Sequence, residues 1–115
     1  NRAAGFLTGK GAPTLSADDR FLLARIYAQM APPSWDKSFE QYKLGLQTSP
    51  WNLRERFAFA QALLAGQQFE EAQAQTQICI RTKPAHAPFH RFLERVRRES
   101  SRALDTARSL KTDNT

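Results

Sequence analysis

Ser49-Pro50-Trp51-Asn52-Leu53-Arg54-Glu55-Arg56-Phe57-Ala58-Phe59-Ala60-Gln61-Ala62-Leu63-Leu64-Ala65-Gly66-Gln67-Gln68-Phe69-Glu70-Glu71-Ala72 begins a stretch that continues through Ile78-Cys79-Ile80 to Lys83-Pro84 and reads as two helices joined by a tight turn. Asn52 can accept a hydrogen bond from the free amides of a helix starting at Leu53, and Glu55, three residues on, completes a capping box by reaching back. Phe59, Leu63 and the small Ala60 and Ala62 recur at spacings of three and four, so one face is apolar while Arg54, Glu55 and Gln61 lie elsewhere. Gly66, which tolerates left-handed backbone angles, ends this helix. The second starts around Phe69, carries Ala72, Thr76, Cys79 and Ile80 on one face, and is stopped by Pro84.

Small residues at Ala60, Ala72 and Cys79 allow two helices to approach closely while larger neighbours fill the grooves. Pro50 and Pro84 lie 34 residues apart, the period of a tetratricopeptide repeat. With the leucine-type position, the small alanine, Phe69-Glu70-Glu71-Ala72 and the closing proline all in phase, the stretch resembles that family. It departs at Arg56, where the family usually has a large aromatic or aliphatic residue. The resemblance implies an all-α, helix-turn-helix solenoid of about five helices that serves as a scaffold binding another protein.

Outward from this pair, Ser16 and Asp19 make another capping box and open a helix running to Met30, in which Leu23, Ala24 and Tyr27 match the first-helix pattern of the repeat. Ala31-Pro32-Pro33-Ser34 breaks the chain before a second helix bearing Trp35, Ser38, Phe39, Tyr42, Gly45 and Leu46, with Gly45 in the small-residue slot. Residues 16–50 thus resemble a first repeat with a turn two residues longer than the consensus, and residues 51–84 a second. After Pro84, Pro88 suits a first helical turn and Phe89, Phe92, Leu93 and Val96 form a buried stripe. Glu94 then stands in the small slot and no glycine turn follows, so residues 85–110 read as a polar capping helix that closes a solenoid domain spanning 16–110. Residues 1–15, with Gly5, Gly9, Gly11 and Pro13, read as a flexible lead-in, and 111–115 as a frayed tail. Two and a half repeats are near the least that can bury a continuous core. With Asn1 in place of an initiator methionine, this points to a piece of a larger protein or an assembly covering the open end.

The 115 residues suit one domain, and 41% hydrophobic with 24% charged residues is ordinary for a globular chain. No apolar run approaches a membrane span and no charged-then-apolar signal opens the sequence. The single cysteine excludes an internal disulfide, and Cys79 in a small-residue helix slot reads as packing.

Catalytic constellations are thin. Gly5-Phe6-Leu7-Thr8-Gly9-Lys10-Gly11 fails the phosphate-loop motif: its spacing is one residue short, Gly11 replaces the magnesium-binding hydroxyl, and no strand precedes it. His86 and His90 are four apart, but His86 precedes Pro88 outside the helix and no carboxylate or thiol completes a metal site. Glu70-Glu71 fits acids at the positive end of a helix. No serine or cysteine is linked by a recognisable motif to a histidine base. The expectation is a binding protein without catalysis, cofactor or metal.

Charge is the stronger signal. Arg81, Lys83, Arg91, Arg95, Arg97, Arg98 and Arg102 against Glu94 and Glu99 place +5 of the formal +6 between Arg81 and Arg102, in a chain of pI ≈ 10.1. In the family the sequence resembles, first helices line a groove that receives peptides or partner helices. That resemblance puts Phe21 and Arg25, then Arg54, Phe57 and Gln61, then Arg91, Arg95 and Arg98 on the groove side. Arginine forks pair with carboxylates and the two phenylalanines would hold apolar side chains, so the expected ligand is an acidic protein segment with hydrophobic anchors. The family's carboxylate clamp of lysine and asparagine is not reproduced, since those slots hold Phe21, Ala58 and Phe92. Two competing readings stay open: binding of nucleic acid or another anionic surface through the arginine-rich helix, and self-association or packing within a larger protein through the uncovered end.

Overall fold

The computed structural model describes residues 15–113, with side chains as far as Leu110. Five helices make up all the regular structure of these residues: α1 Ala17–Ala28, α2 Trp35–Thr48, α3 Leu53–Ala65, α4 Phe69–Thr82 and α5 Ala87–Asp113. The fold is all-α. The expected lead-in through Thr14, with its glycine run, lies outside the described residues, as do Asn114 and Thr115. Helix α5 continues past Leu110 to Asp113, so the backbone of Lys111–Asp113 is helical rather than tail.

Local chemistry sets the boundaries. Ser16 Oγ accepts the Asp19 amide at 3.1 Å and Asn52 Oδ1 accepts the Glu55 amide at 3.2 Å, each satisfying an amide that a helix N-terminus leaves unpaired. The turn after α3 works differently from the sequence expectation. Gly66 has φ −86°, and the left-handed residue is Gln67, at φ 63°. The Gln68 amide reaches Leu63 O at 2.8 Å and the Gln67 amide reaches Leu64 O at 2.9 Å, the paired bonds of a Schellman turn with Gln67 at its left-handed position. Gly66 is needed for space: a Cβ there would lie 2.9 Å from Phe39 Cζ and 3.3 Å from Trp35 Cγ.

Packing follows chain order. Phe21 near the start of α1 meets Gly45 near the end of α2, while Ser38 Oγ donates to Ala24 O at 2.7 Å, so the two helices run antiparallel with backbones close together. Helix α2 reaches α3 through rings: Tyr42 stacks on Phe59 with centroids 5.2 Å apart and Phe39 tilts against it at 6.0 Å. Ala60, Ala72 and Cys79 are fully buried, the small contacts where α3 and α4 meet, and Thr76 Oγ1 ties back to Ala72 O. Phe89, Phe92, Leu93 and Val96 bury the inner stripe of α5. The molecule is 19 Å across its thinnest axis, about two helix diameters of ~10 Å each. Every helix therefore has a face without a neighbour, and on α1 that face carries exposed Leu22 and Ile26, four apart, with exposed Met30 just past the helix end.

Gly45→Ala should destabilise the fold by about 1–3 kcal/mol, because the added methyl would sit 2.5 Å from Phe21 Cε1 in a packed seam. Gln67→Gly should do the opposite and stabilise by about 1 kcal/mol, since only glycine adopts φ 63° without strain. Urea unfolding midpoints of both variants check the two signs.

Candidate protein-interaction surface

Phe21 does not line a groove. Its ring is 1% exposed and fills the space opposite Gly45, 6.3 Å from the Tyr42 ring, so it cannot hold a ligand side chain. The glycine that permits close approach of α2 is what takes the ring inward.

Arg25 is also committed. Its Nη1 donates to both carboxylate oxygens of Glu55, at 2.7 and 2.8 Å, and Glu55 is only 4% exposed. The guanidinium is held more firmly protonated by this bond. The carboxylate that would have completed the capping box at Asn52 thus reaches across to α1, and only the Asn52 half of the box forms. Tyr42 lies in the same region, its hydroxyl pushed to a higher pKa first by burial and then by the Glu55 charge.

Phe57 is half-buried, its ring edge-on to Phe89 at 5.0 Å and to Phe92 at 5.2 Å. It joins α3 to α5 and is not free to anchor a ligand. Arg56, out of place in the repeat pattern, donates to Gln75 Oε1 at 2.7 Å and Pro50 O at 3.2 Å, bridging α3 to α4 and to the loop before it.

The remaining candidates are on the surface. Arg54 and Gln61 of α3 are exposed, as are Arg91, Arg95 and Arg98 of α5. With exposed Arg102, the α5 arginines are spaced four, three and four, which aligns them in one row along the helix. Within the row, Arg95 Nε is bonded to Glu99 at 2.8 Å. Glu94, expected in a small buried slot, is exposed. Arg102, the last of the row, and Glu99 share a cleft with Leu64 and Ala65 from the end of α3. That cleft, about 580 Å³ and open to solvent, is completed by Gln67, by Phe69 of α4 and by Ala103, Thr106, Ala107 and Leu110 of α5.

The two histidines do not pair. His90 Nε2 is 2.6 Å from Pro84 O, and the His86 ring stands edge-on to Phe89 at 4.4 Å. Among the described residues, no group of three or more His, Cys, Asp or Glu could hold a metal ion, and no helix is long and apolar enough to cross a membrane. Comparison of the chain with protein-family models, with curated proteins and with solved structures finds no match.

Cys79 is fully buried, and burial pushes its thiol from an ordinary 9.0 to about 11. A thiol is neutral when protonated, so the folded chain keeps a proton that the unfolded chain releases between these values. Stability should therefore fall as pH rises from about 9 to about 11. Thermal melts of the wild type and Cys79→Ala across that range test this: the wild type should lose more than the variant, and thiol reagents should label Cys79 only on unfolding.

Proposed function

We propose that this chain is a protein-interaction module, a tetratricopeptide-like helical array that binds an acidic protein segment along α5. The observation that carries the reading is the exposed row Arg91, Arg95, Arg98 and Arg102, against which Glu99 is the one carboxylate engaged among the described residues. Aligned guanidinium forks of one sign recognise carboxylates bidentately and raise their local concentration. Exposed Arg54 and Gln61 on α3 extend the polar surface. Arg25, Phe21 and Phe57 drop out of the contact set, since the ion pair and the core already occupy them.

The array reading is supported by the order of packing and by zero exposure at Ala60, Ala72 and Cys79, the positions where the repeat pattern calls for small side chains. A protein partner is favoured over nucleic acid because the rings on and against α5, Phe57, Phe89 and Phe92, are engaged in packing, which leaves a single strand little to stack on beside the arginines.

Fluorescence anisotropy with labelled Glu- and Asp-rich peptides, at low and physiological salt, tests the reading. The wild type should bind acidic peptides in preference to neutral ones. Arg91→Glu/Arg98→Glu, which reverses two row charges that have no ion-pair partner among the described residues, should weaken binding about tenfold or more. Equal binding by the variant, or displacement of the peptide by a random oligonucleotide at physiological salt, would overturn it.

A further inference from the structure

An acidic segment held only by arginine forks would bind weakly and with little selectivity at physiological salt, because exposed ion pairs are heavily screened. The two phenylalanines expected to supply apolar anchoring are both engaged in packing. The structure offers another, partly apolar site at one end of the arginine row. Helix α5 has 27 residues against 13 in α3 and 14 in α4, so it overhangs the turn that joins them. On the overhang, Ala103, Ala107 and Leu110 are spaced four and three and face Leu64, Ala65 and Phe69 across the cleft of about 580 Å³.

We propose that this cleft seats the apolar face of a short amphipathic acidic helix, whose carboxylates continue onto Arg98 and Arg102. The proposal rests on the acidic-segment reading and adds the shape of the partner and its anchoring point. Charge complementarity selects the occupant and its orientation. Arg102 stands in the cleft and Arg95 and Arg98 precede it on the same face, with Glu99 neutralised by Arg95. The acids Glu70 and Glu71 lie instead on the far flank of the overhang, beside Ser100 and Leu104, so an acidic helix is admitted on the arginine side and repelled from the other. Ala103 and Ala107 give a low wall against which a second helix can pack closely, with exposed Leu110 at its rim.

Two labelled helical peptides of equal negative charge decide the matter, one carrying leucines at i, i+3 and i+7 and the other glutamines at the same positions. Burying the leucines should make the wild type prefer the first by about tenfold or more. Ala107→Gln/Leu110→Gln replaces two exposed residues with good helix formers, so folding is retained, as circular dichroism will show. That variant should bring the preference down to about twofold while binding the glutamine peptide as before. Arg91→Glu/Arg98→Glu should weaken both peptides alike. Equal binding of the two peptides by the wild type would overturn the anchoring cleft and leave the arginine reading standing, whereas failure of both peptides would overturn both. Sedimentation of the protein alone covers a different occupant: a dimer abolished by Ala107→Gln/Leu110→Gln would mean that a second copy fills the cleft, and the proposal would fall.

Discussion

One buried carboxylate joins the first helical pair to the second. Glu55 sits in α3 at 4% exposure, and both its oxygens are held by a single arginine from α1, 30 residues earlier in the chain. An unpaired carboxylate at this depth would be expensive, so Arg25 has little freedom to move. Around it, Tyr42 and Phe39 of α2 press on Phe59, giving the apolar half of the same junction. Ion pairs of this kind contribute little net stability once desolvation is counted, and their best-attested effect is to fix register. Here the register fixed is that of α1 against α3. Arg25 is thus already paired, whereas Arg91, Arg98 and Arg102 on α5 have no ion pair among the described residues.

The helices were legible in the sequence because their signals are local. Ser16 and Asn52 cap from one turn away, Pro84 stops α4 by lacking an amide, and the three-and-four spacing of apolar residues needs no knowledge of what they touch. What failed was long-range or of finer grain. Glu55 matched a capping box by spacing alone, yet a partner on α1 competed for its carboxylate and won. Gly66 looked like the left-handed residue of the turn, but the chain reaches that conformation one residue later at Gln67, and the glycine makes room for Phe39 and Trp35 instead. Helical periodicity shows that residues share a face but not which neighbour covers it. Phe21 and Phe57 were therefore assigned to a surface, while Gly45 on one side and Phe89 with Phe92 on the other had already claimed them.

The arginine row and the cleft at its end differ in legibility for the same reason. The row is a property of one helix and follows from the four-three-four spacing of Arg91, Arg95, Arg98 and Arg102. The cleft exists only because α5 outruns the turn between α3 and α4, a mismatch of lengths between elements far apart in sequence. The alanines at 103 and 107 carry no signal of their own, since alanine is the commonest choice for any helix surface.

The distribution of apolar surface constrains how such a molecule can bind. A chain only two helices thick has little interior, so many of its aromatic rings go to joining one helix to the next: Phe39 and Tyr42 lie on Phe59, and Phe57 on Phe89 and Phe92, while Trp51 stays exposed. A surface built from what remains is rich in charge and poor in rings. Charge alone brings a partner near quickly and discriminates among acidic partners poorly, because exposed guanidinium groups are screened and accept many arrangements of carboxylates. Selectivity has to come from a place where shape is fixed and water is displaced. Beside the arginine row, the place where side chains from three helices converge on apolar space is the angle between the overhanging α5 and the α3–α4 turn. Its walls are set by the Schellman bonds at Gln67 and Gln68 on one side and by a continuous helix on the other.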